Sequence, residues 1–146
     1  MHTARNVRTG IGIAAIAIGL FTAGCVRPVA PVSGGPPAPV ASLQIKPSTA
    51  KFPSTPPPYW PMPIVPVTIT NTGTVTVRSI VVHGVGVYSV PSNTCSSLAP
   101  GHSCTANIQF CPTSPNHYVN TLSVTGNNAN NGASVHAAAT LDGTAT

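Results

Sequence analysis

The stretch from Cys95 to Pro112 constrains the fold of this chain more than any other. From position 104 onward its side chains alternate between two sets, Cys104, Ala106, Ile108 and Phe110 against Thr105, Asn107, Gln109 and Cys111. A period of two is that of a β-strand with one face buried. The Pro100-Gly101 pair before the strand is a turn signal, and Pro112 ends the strand because proline has no N–H group to donate. Such a strand needs neighbours and a covering layer, so the rest of the chain is expected to supply further strands.

Other short apolar segments follow the same kind of pattern. They occupy residues 43–45, 65–69, 75–82, 85–90, 118–124 and 135–141. Turn signals separate several of them, including Asn71-Thr72-Gly73 and the polar run at 126–132. No helical periodicity appears after residue 24. Short strands at regular spacing with turns between them predict an all-β fold, an antiparallel β-sandwich of about seven strands.

The composition argues against several kinds of function. Charged residues make up 5% of the chain, and Asp142 is its one acidic residue. Hydrolysis by paired carboxylates and a typical calcium site each need more than one. A Ser-His-Asp triad would have to use Asp142, and no Gly-x-Ser-x-Gly motif is present. The basic residues are scattered, which argues against nucleic-acid binding. We therefore expect a protein that is not an enzyme and needs no cofactor.

The first 24 residues have a basic start, then an apolar run and then small residues, the layout of a secretory signal peptide. The apolar run is too short for a transmembrane helix, which needs about 20 residues. Ala23-Gly24-Cys25 resembles the lipobox of bacterial lipoproteins. This resemblance implies that Cys25 is acylated and holds the mature chain to a membrane of the cell envelope. Because Val26 is not an aspartate, it also implies the outer membrane if the host is Gram-negative. The alternative is an ordinary secretion signal, with Cys25 as a structural thiol.

Two proline-rich segments interrupt the pattern. Residues 25–41 contain Cys25 and a linker rich in proline and glycine, interpreted as a spacer between membrane and domain or, alternatively, as a ligand for a partner's aromatic groove. A second proline cluster at 56–63 surrounds Tyr59 and Trp60. This pair is a candidate partner contact, since tyrosine and tryptophan are enriched at binding hot spots. The alternative is that Trp60 covers one end of the core.

Five motifs after the linker belong together. They are Val67-Thr68-Ile69-Thr70-Asn71-Thr72-Gly73, Leu98-Ala99-Pro100-Gly101 with Cys104, Phe110 with Pro112, Leu122 with Val124, and Leu141 with Gly143-Thr144. Together they resemble the ASPM–SPD-2–Hydin (ASH) type of immunoglobulin-like domain over residues 42–146. The resemblance implies an immunoglobulin-like sandwich from a family that serves in binding and assembly and has no shared active site.

The cysteines fit this resemblance. If Cys25 is lipidated, three thiols remain in an exported protein, where disulfides persist. Cys104 points to the core by alternation, Cys95 precedes the turn that leads into its strand, and the resembled family often carries this pair. We therefore pair Cys95 with Cys104, which leaves Cys111 as a free thiol or an intermolecular link. The alternative bridge from Cys104 to Cys111 would join opposite faces of one strand, which disulfide geometry disfavours.

Three functions fit these observations. The leading hypothesis is a membrane-anchored envelope lipoprotein that acts as a structural or protein-interaction module, binds another envelope protein and belongs to an envelope assembly. The alternative is a surface adhesin or carbohydrate-binding module with Tyr59, Trp60 and Tyr88 as stacking platforms. A third is a metal chaperone that uses the histidines of the mature chain, His83, His102, His117 and His136. We expect no metal, because these histidines lie on separate segments without the close-spaced pair of a zinc motif.

Overall fold

The computed structural model describes residues 37–56 and 61–146. The predicted signal peptide, Cys25, Tyr59 and Trp60 lie outside this part of the chain. The described residues form an all-β structure, as the alternation predicts. Its strands are β1 (Leu43–Lys46), β2 (Thr49–Lys51), β3 (Ile64–Asn71), β4 (Val77–His83), β5 (Tyr88–Asn93), β6 (Ser97–Leu98), β7 (Ser103–Phe110), β8 (Asn116–Asn128) and β9 (Ser134–Ala145).

The strands form two sheets. The first sheet has the order β1-β3-β7-β5, and the second has the order β2-β9-β8-β4-β6. Neighbouring strands are antiparallel except for β2, which runs parallel to β9. The chain therefore changes sheets between β1 and β2, around the cis peptide bond before Pro47. Two such sheets with a common core make a β-sandwich, which confirms the predicted fold class.

The β7 strand lies inside the first sheet with the predicted face toward the core. Cys104, Ala106, Ile108 and Phe110 are buried, and the residues between them are exposed or half-buried. In β3, Ile69 pairs with Cys104 and Val67 pairs with Ala106. The second sheet covers this layer with buried side chains that include Leu122, Val124 and Leu141. Apolar area removed from water between the two sheets is the main stabilising contribution.

The strand predicted at residues 85–90 begins later and buries the other set of side chains. Val85 and Tyr88 exchange backbone hydrogen bonds of 2.9 and 3.0 Å, which makes a tight turn around Gly86 with its positive φ of 58°. Consequently β5 begins at Tyr88, and Tyr88 is buried in the core while Val87 is half-buried. One residue of shift changes which side chains face inward.

The last two strands are longer than predicted. Part of the polar run at 126–132 belongs to β8, so the turn is shorter than the expected loop. Gly126 lies under Val77 and Ile80 of the neighbouring strand, and a Cβ at Gly126 would come within 2.6 Å of Val77 Cγ1. The glycine therefore continues the strand and leaves room for close packing. In the sequence the same glycine has the appearance of a turn signal.

A disulfide joins Cys95 to Cys104, as predicted, and both cysteines are buried. The bridge attaches the segment after β5 to the start of β7. Among the described residues Cys111 is the free cysteine.

Removing this bridge with the pair Cys95→Ala and Cys104→Ala should lower the free energy of unfolding by about 2.5–3 kcal/mol from the loop of about ten residues. Lost packing at the two buried positions adds to that value. Urea unfolding of both proteins, with and without reductant, measures the effect. Reductant should lower the wild-type midpoint and leave the double variant unchanged. A wild-type midpoint that is unaffected once mass spectrometry shows the bridge reduced would contradict the prediction.

Candidate functional site

A cleft of about 340 Å³ opens beside the end of β7. Its lining residues are Thr55, Met62, Pro63, Phe110, Cys111, Pro112 and Thr113. The volume is near the lower end of the roughly 300–1,000 Å³ that ligand pockets occupy in proteins. None of the lining residues carries a formal charge, and most are apolar. The cleft therefore suits a small uncharged ligand or one large side chain better than an ion.

Backbone hydrogen bonds fix both walls of the cleft. Phe52 N–H donates to Asp142 O over 2.8 Å, and Thr55 N–H donates to Thr144 O over 3.1 Å, so the chain before the proline cluster follows β9. On the other wall, Phe110 N–H donates to Pro63 O over 3.0 Å. Because each wall is held by main-chain bonds to a strand, the cleft is part of the rigid sandwich.

An aromatic cluster packs around Phe110, which lines the cleft. The Phe110 ring centroid lies 5.1 Å from Tyr88, 5.7 Å from Phe52 and 5.8 Å from Tyr118. These separations are within the range in which aromatic pairs attract each other beyond simple burial. The Tyr88 hydroxyl donates a hydrogen bond of 2.8 Å to Tyr118 O. With 2% of its surface exposed, Tyr88 is a core residue, and its predicted role as a stacking platform for sugars is wrong.

Burial raises the pKa of Tyr88 from 10.0 to about 12, because the charged phenolate loses its water. The negative charge of Asp142 raises the pKa further, and a backbone hydrogen bond from Gly143 acts in the opposite direction. The folded protein therefore favours the neutral phenol. Since the unfolded chain loses this proton more easily, the stability from Tyr88 is complete below pH 10 and is lost as the pH rises toward 12.

We expect the free energy of unfolding to fall between pH 10 and about 12, with roughly 2–3 kcal/mol of the loss due to Tyr88. Tyr88→Phe removes the ionisable hydroxyl and the hydrogen bond to Tyr118 O. The difference in stability between wild type and Tyr88→Phe should therefore shrink across this interval. Denaturant unfolding at several pH values measures it. A difference that stays constant would show that Tyr88 does not cause the alkaline loss.

Cys111, Thr55 and Thr113 are the lining residues of the cleft that carry a thiol or a hydroxyl group. Cys111 is half-buried, and its Sγ lies 3.9 Å from Ser89 Oγ. The sequence predicted a thiol on the outer face of β7, but the strand ends at Phe110 and places the next residue at the cleft. Thr55 is 5% exposed, and its Oγ1 has no hydrogen-bond partner among the described residues. Thr55 was missed because its proline-rich surroundings carry no alternation.

The histidines and the aspartate of the second sheet are accessible to water. His117 Nε2 is 2.7 Å from Asp142 Oδ1, and both side chains are accessible to water. An accessible side-chain contact of this kind contributes only about 0–1 kcal/mol. His83 Nε2 is 3.2 Å from Thr125 Oγ1 in the same sheet. Within residues 37–56 and 61–146, no three or more His, Cys, Asp or Glu side chains come together as a metal site.

The outer face of the first sheet is covered by hydroxyl and amide side chains. Thr70 and Ser103 share a hydrogen bond of 2.7 Å, and Asn107 Nδ2 donates to Ser92 Oγ over 3.0 Å. Larger exposed apolar side chains are spread over the domain, at Val40, Ile64, Val81 and Val119. No helix in the described part of the chain has the length and apolar character to cross a membrane.

No protein-family model and no curated protein matches the chain. Solved structures do match. The ASH/PapD-like domain of human CEP192 (PapD-like domain 7) is 17% identical, with a TM-score of 0.54, and the match covers 88% of this chain and 97% of that domain. The VesB protease of Vibrio cholerae is 17% identical with a TM-score of 0.55, and the match covers 71% of this chain. This chain spans only 31% of VesB.

The fold is therefore that of an ASH-like immunoglobulin-fold domain with two packed β-sheets. The match to CEP192 extends over nearly the whole of that domain, so the likeness concerns a complete domain and not a fragment. At 17% identity it concerns the fold alone. This result agrees with the resemblance carried by the Asn71-Thr72-Gly73 and Leu98–Cys104 motifs.

Proposed function

We propose that this chain is a non-catalytic protein-interaction module of the cell envelope, held to a membrane by lipid on Cys25 and bound to another envelope protein. The observation that carries the proposal is the ASH/PapD-like fold, which accounts for residues 42–146 with short connections between most strands. The lipobox-like Ala23-Gly24-Cys25 supplies the attachment in this proposal.

The surface chemistry favours a partner protein that is bound through apolar and hydrogen-bonded contacts over a partner that is bound through charge. Both outer faces are rich in Thr, Ser and Asn, and Asp142 is the one acidic residue of the chain. A surface with so few charges provides little long-range steering, so affinity has to come from fitted apolar and hydrogen-bonded contacts. Tyr59 and Trp60 are the proposed contact residues, because tyrosine and tryptophan are large, partly polar aromatics that are enriched at binding hot spots.

The structural likeness to VesB gives no reason to propose a protease activity for this chain. The match covers 31% of that protease, and the chain has a single carboxylate side chain. The glycan-binding alternative loses one of its three proposed platforms, since Tyr88 is in the core. The interaction module is therefore the function that we propose for the domain.

Cys25→Ser should move the protein from the membrane fraction to the soluble fraction and abolish incorporation of labelled fatty acid. The physical reason is that the serine hydroxyl cannot form the thioether through which such an anchor is attached, so the acyl chains that would hold the protein to the membrane are not added. Cys111→Ser is the matched control and should stay membrane-bound. A Cys25→Ser protein that remains in the membrane with an unchanged mass would refute the anchoring part of the proposal.

A further inference from the structure

The outer face of the second sheet collects ionisable side chains that are far apart in the sequence. Side chains alternate along a strand, and directly opposite residues of neighbouring strands point to the same side of a sheet. The register of β2, β9, β8 and β4 therefore places six ionisable residues on the side away from the core: Lys51, Arg78, His83, His117, His136 and Asp142. We call this surface the histidine face. The strands of the first sheet contain one lysine, Lys46, and no arginine, histidine or acidic residue.

Two histidines of the histidine face flank one hydroxyl group. His83 Nε2 lies 3.2 Å from Thr125 Oγ1. His136 is directly opposite Thr125 in the neighbouring strand β9. The charged side chain on the same strand as His83 is Arg78, and neither histidine is opposite a carboxylate in the register. Protonation of these two histidines therefore adds positive charge that the face does not neutralise.

The third histidine lies beside the one carboxylate. His117 Nε2 is 2.7 Å from Asp142 Oδ1, and Lys51 is opposite Asp142 in β2. With neutral histidines the face has two cations and one carboxylate, which is a net charge of +1. Protonation of all three histidines raises this net charge to +4. Since histidine changes its charge between about pH 5 and 8, mild acid turns a nearly neutral face into a basic one.

The histidine face also has two exposed valines. Val81 is 48% exposed and lies opposite Thr125, and Val119 is 56% exposed. Val119 lies six residues before Thr125 along β8, so the two valines are about 20 Å apart. Apolar side chains this far apart on a basic sheet surface do not fit one small ligand. They fit a planar partner with negative charges at its surface and apolar groups beneath, which is an anionic lipid bilayer.

We propose that the histidine face binds the surface of an anionic phospholipid bilayer at mildly acidic pH. Lys51, Arg78 and the protonated histidines contact lipid phosphates, and Val81 and Val119 enter the headgroup region. Each positive charge near such a surface raises the affinity about fivefold, so protonation of three histidines should raise it by up to about 100-fold. The outer face of the first sheet is then turned away from the membrane. The proposal does not depend on lipid attachment at Cys25.

The test measures partition of the full chain into phosphatidylglycerol vesicles and into phosphatidylcholine vesicles by flotation, at about pH 5.5 and about pH 7.5. All proteins compared have the same residues 1–36, so any contribution of that segment cancels between variants. We expect the wild-type partition coefficient for phosphatidylglycerol vesicles to be at least about tenfold higher at the lower pH. About 0.5 M salt should remove most of this increase, because it screens the charges. Phosphatidylcholine vesicles should show no comparable increase.

Histidine variants test the source of the pH dependence. The triple variant His83→Gln, His117→Gln and His136→Gln should lose most of the increase on acidification, at least about fivefold, because it cannot gain positive charge on this face. The matched control is His102→Gln, an exposed histidine in the turn before β7, and it should behave like the wild type. Urea unfolding shows whether each variant is folded.

Valine variants test contact with the bilayer as opposed to binding of negative charge alone. Val81→Thr with Val119→Thr should lower the partition coefficient at least about threefold at the lower pH, since less apolar surface leaves water. The matched control is Ile64→Thr on the outer face of the first sheet, where the side chain is 51% exposed. Hydroxyl-radical footprinting of the vesicle-bound wild type needs no variant. It should protect Val119 and His136 and leave Ile64 reactive.

Three results would overturn the proposal. The first is an equal pH dependence for the triple histidine variant and the wild type. The second is a partition coefficient that the two valine changes do not alter, because the face would then bind polyanions in general. The third is a footprint that protects Ile64 and leaves Val119 and His136 reactive, and this result decides if a variant does not fold. Cys25 is unchanged in every protein compared, so these outcomes are separate from the test of lipid attachment.

Discussion

Asn71→Asp should unfold the domain at neutral pH or lower its free energy of unfolding by on the order of 5 kcal/mol. Asn71 is fully buried at the end of β3. Its Nδ2 donates to Val75 O and to Leu98 O, both over 2.8 Å, and its Oδ1 accepts from Gly73 N–H over 3.0 Å. One side chain thus connects the turn after β3 with the short strand β6.

Asn71→Asp keeps the shape of the side chain and removes its two hydrogen-bond donors. A carboxylate has the shape of the amide but only accepts hydrogen bonds, so it would face two carbonyl oxygens without a proton between them. The two carbonyl oxygens would lose the N–H groups that Asn71 donates to them, and a negative charge would be buried with the Gly73 N–H as its remaining hydrogen-bond donor. Some stability should return at low pH, where the protonated carboxyl can donate once. Because the charged form is disfavoured in the folded state, stability falls as the pH rises.

Asn130→Asp in the exposed turn between β8 and β9 is the matched control, and it should change stability by no more than about 0.5 kcal/mol. Chemical denaturation of the two variants across a pH series measures the difference. Equal stabilities at neutral pH would mean that the amide of Asn71 does not hold the two carbonyl groups, and that the connection between these segments depends on the backbone alone.

Phe110→Ala should cost about 3–5 kcal/mol, since it removes a fully buried ring from the centre of the aromatic cluster. The facing strand β9 has Gly143 under this ring, and a Cβ there would lie 2.9 Å from Phe110 Cζ. Gly143→Ala should therefore destabilise the wild type by forcing the ring to move. We therefore expect the free-energy cost of a substitution at Gly143 to depend on the residue at position 110.

A double-mutant cycle with Phe110→Leu tests this dependence. In the Phe110→Leu background the smaller side chain leaves room, so Gly143→Ala should cost at least about 1 kcal/mol less than in the wild type. Urea unfolding of the four proteins gives the coupling free energy. If the cost of Gly143→Ala is the same in both backgrounds, the close contact between the Phe110 ring and residue 143 does not determine the packing of β9.

The sequence predicted the features that depend on a period of two. The alternation from Cys104 to Phe110 determines which face of β7 is buried, and the structure has that face. The Cys95–Cys104 bridge was also predicted, but that prediction depended partly on the resemblance to ASH domains and not on the residues alone. Local turn geometry was harder to predict. The turn at Gly86 moves the start of β5 to Tyr88, and nothing in the valine pattern indicates that turn.

The polar residues inside the fold could not be predicted for a different reason. Asn71 reads as an exposed turn residue in the sequence, because asparagine is common in turns, and its burial depends on carbonyl groups contributed by distant segments. Thr55 lies in a proline-rich segment without periodicity, so the sequence gives no indication of its burial. Both positions are defined by tertiary contacts, which a local pattern does not contain.

The central claim, that this domain binds another envelope protein, is tested most directly by quantitative affinity capture from detergent-solubilised membranes with the full chain as bait. The bait unfolded by Asn71→Asp is the control for non-specific capture, and a bait with Tyr59→Ala and Trp60→Ala tests the proposed contact. We predict that the wild-type bait captures one envelope protein at a constant ratio. The purified protein should bind the bait again in a calorimetric titration, and the double alanine change should lower its affinity. Capture of no protein beyond what the unfolded bait retains would contradict the claim.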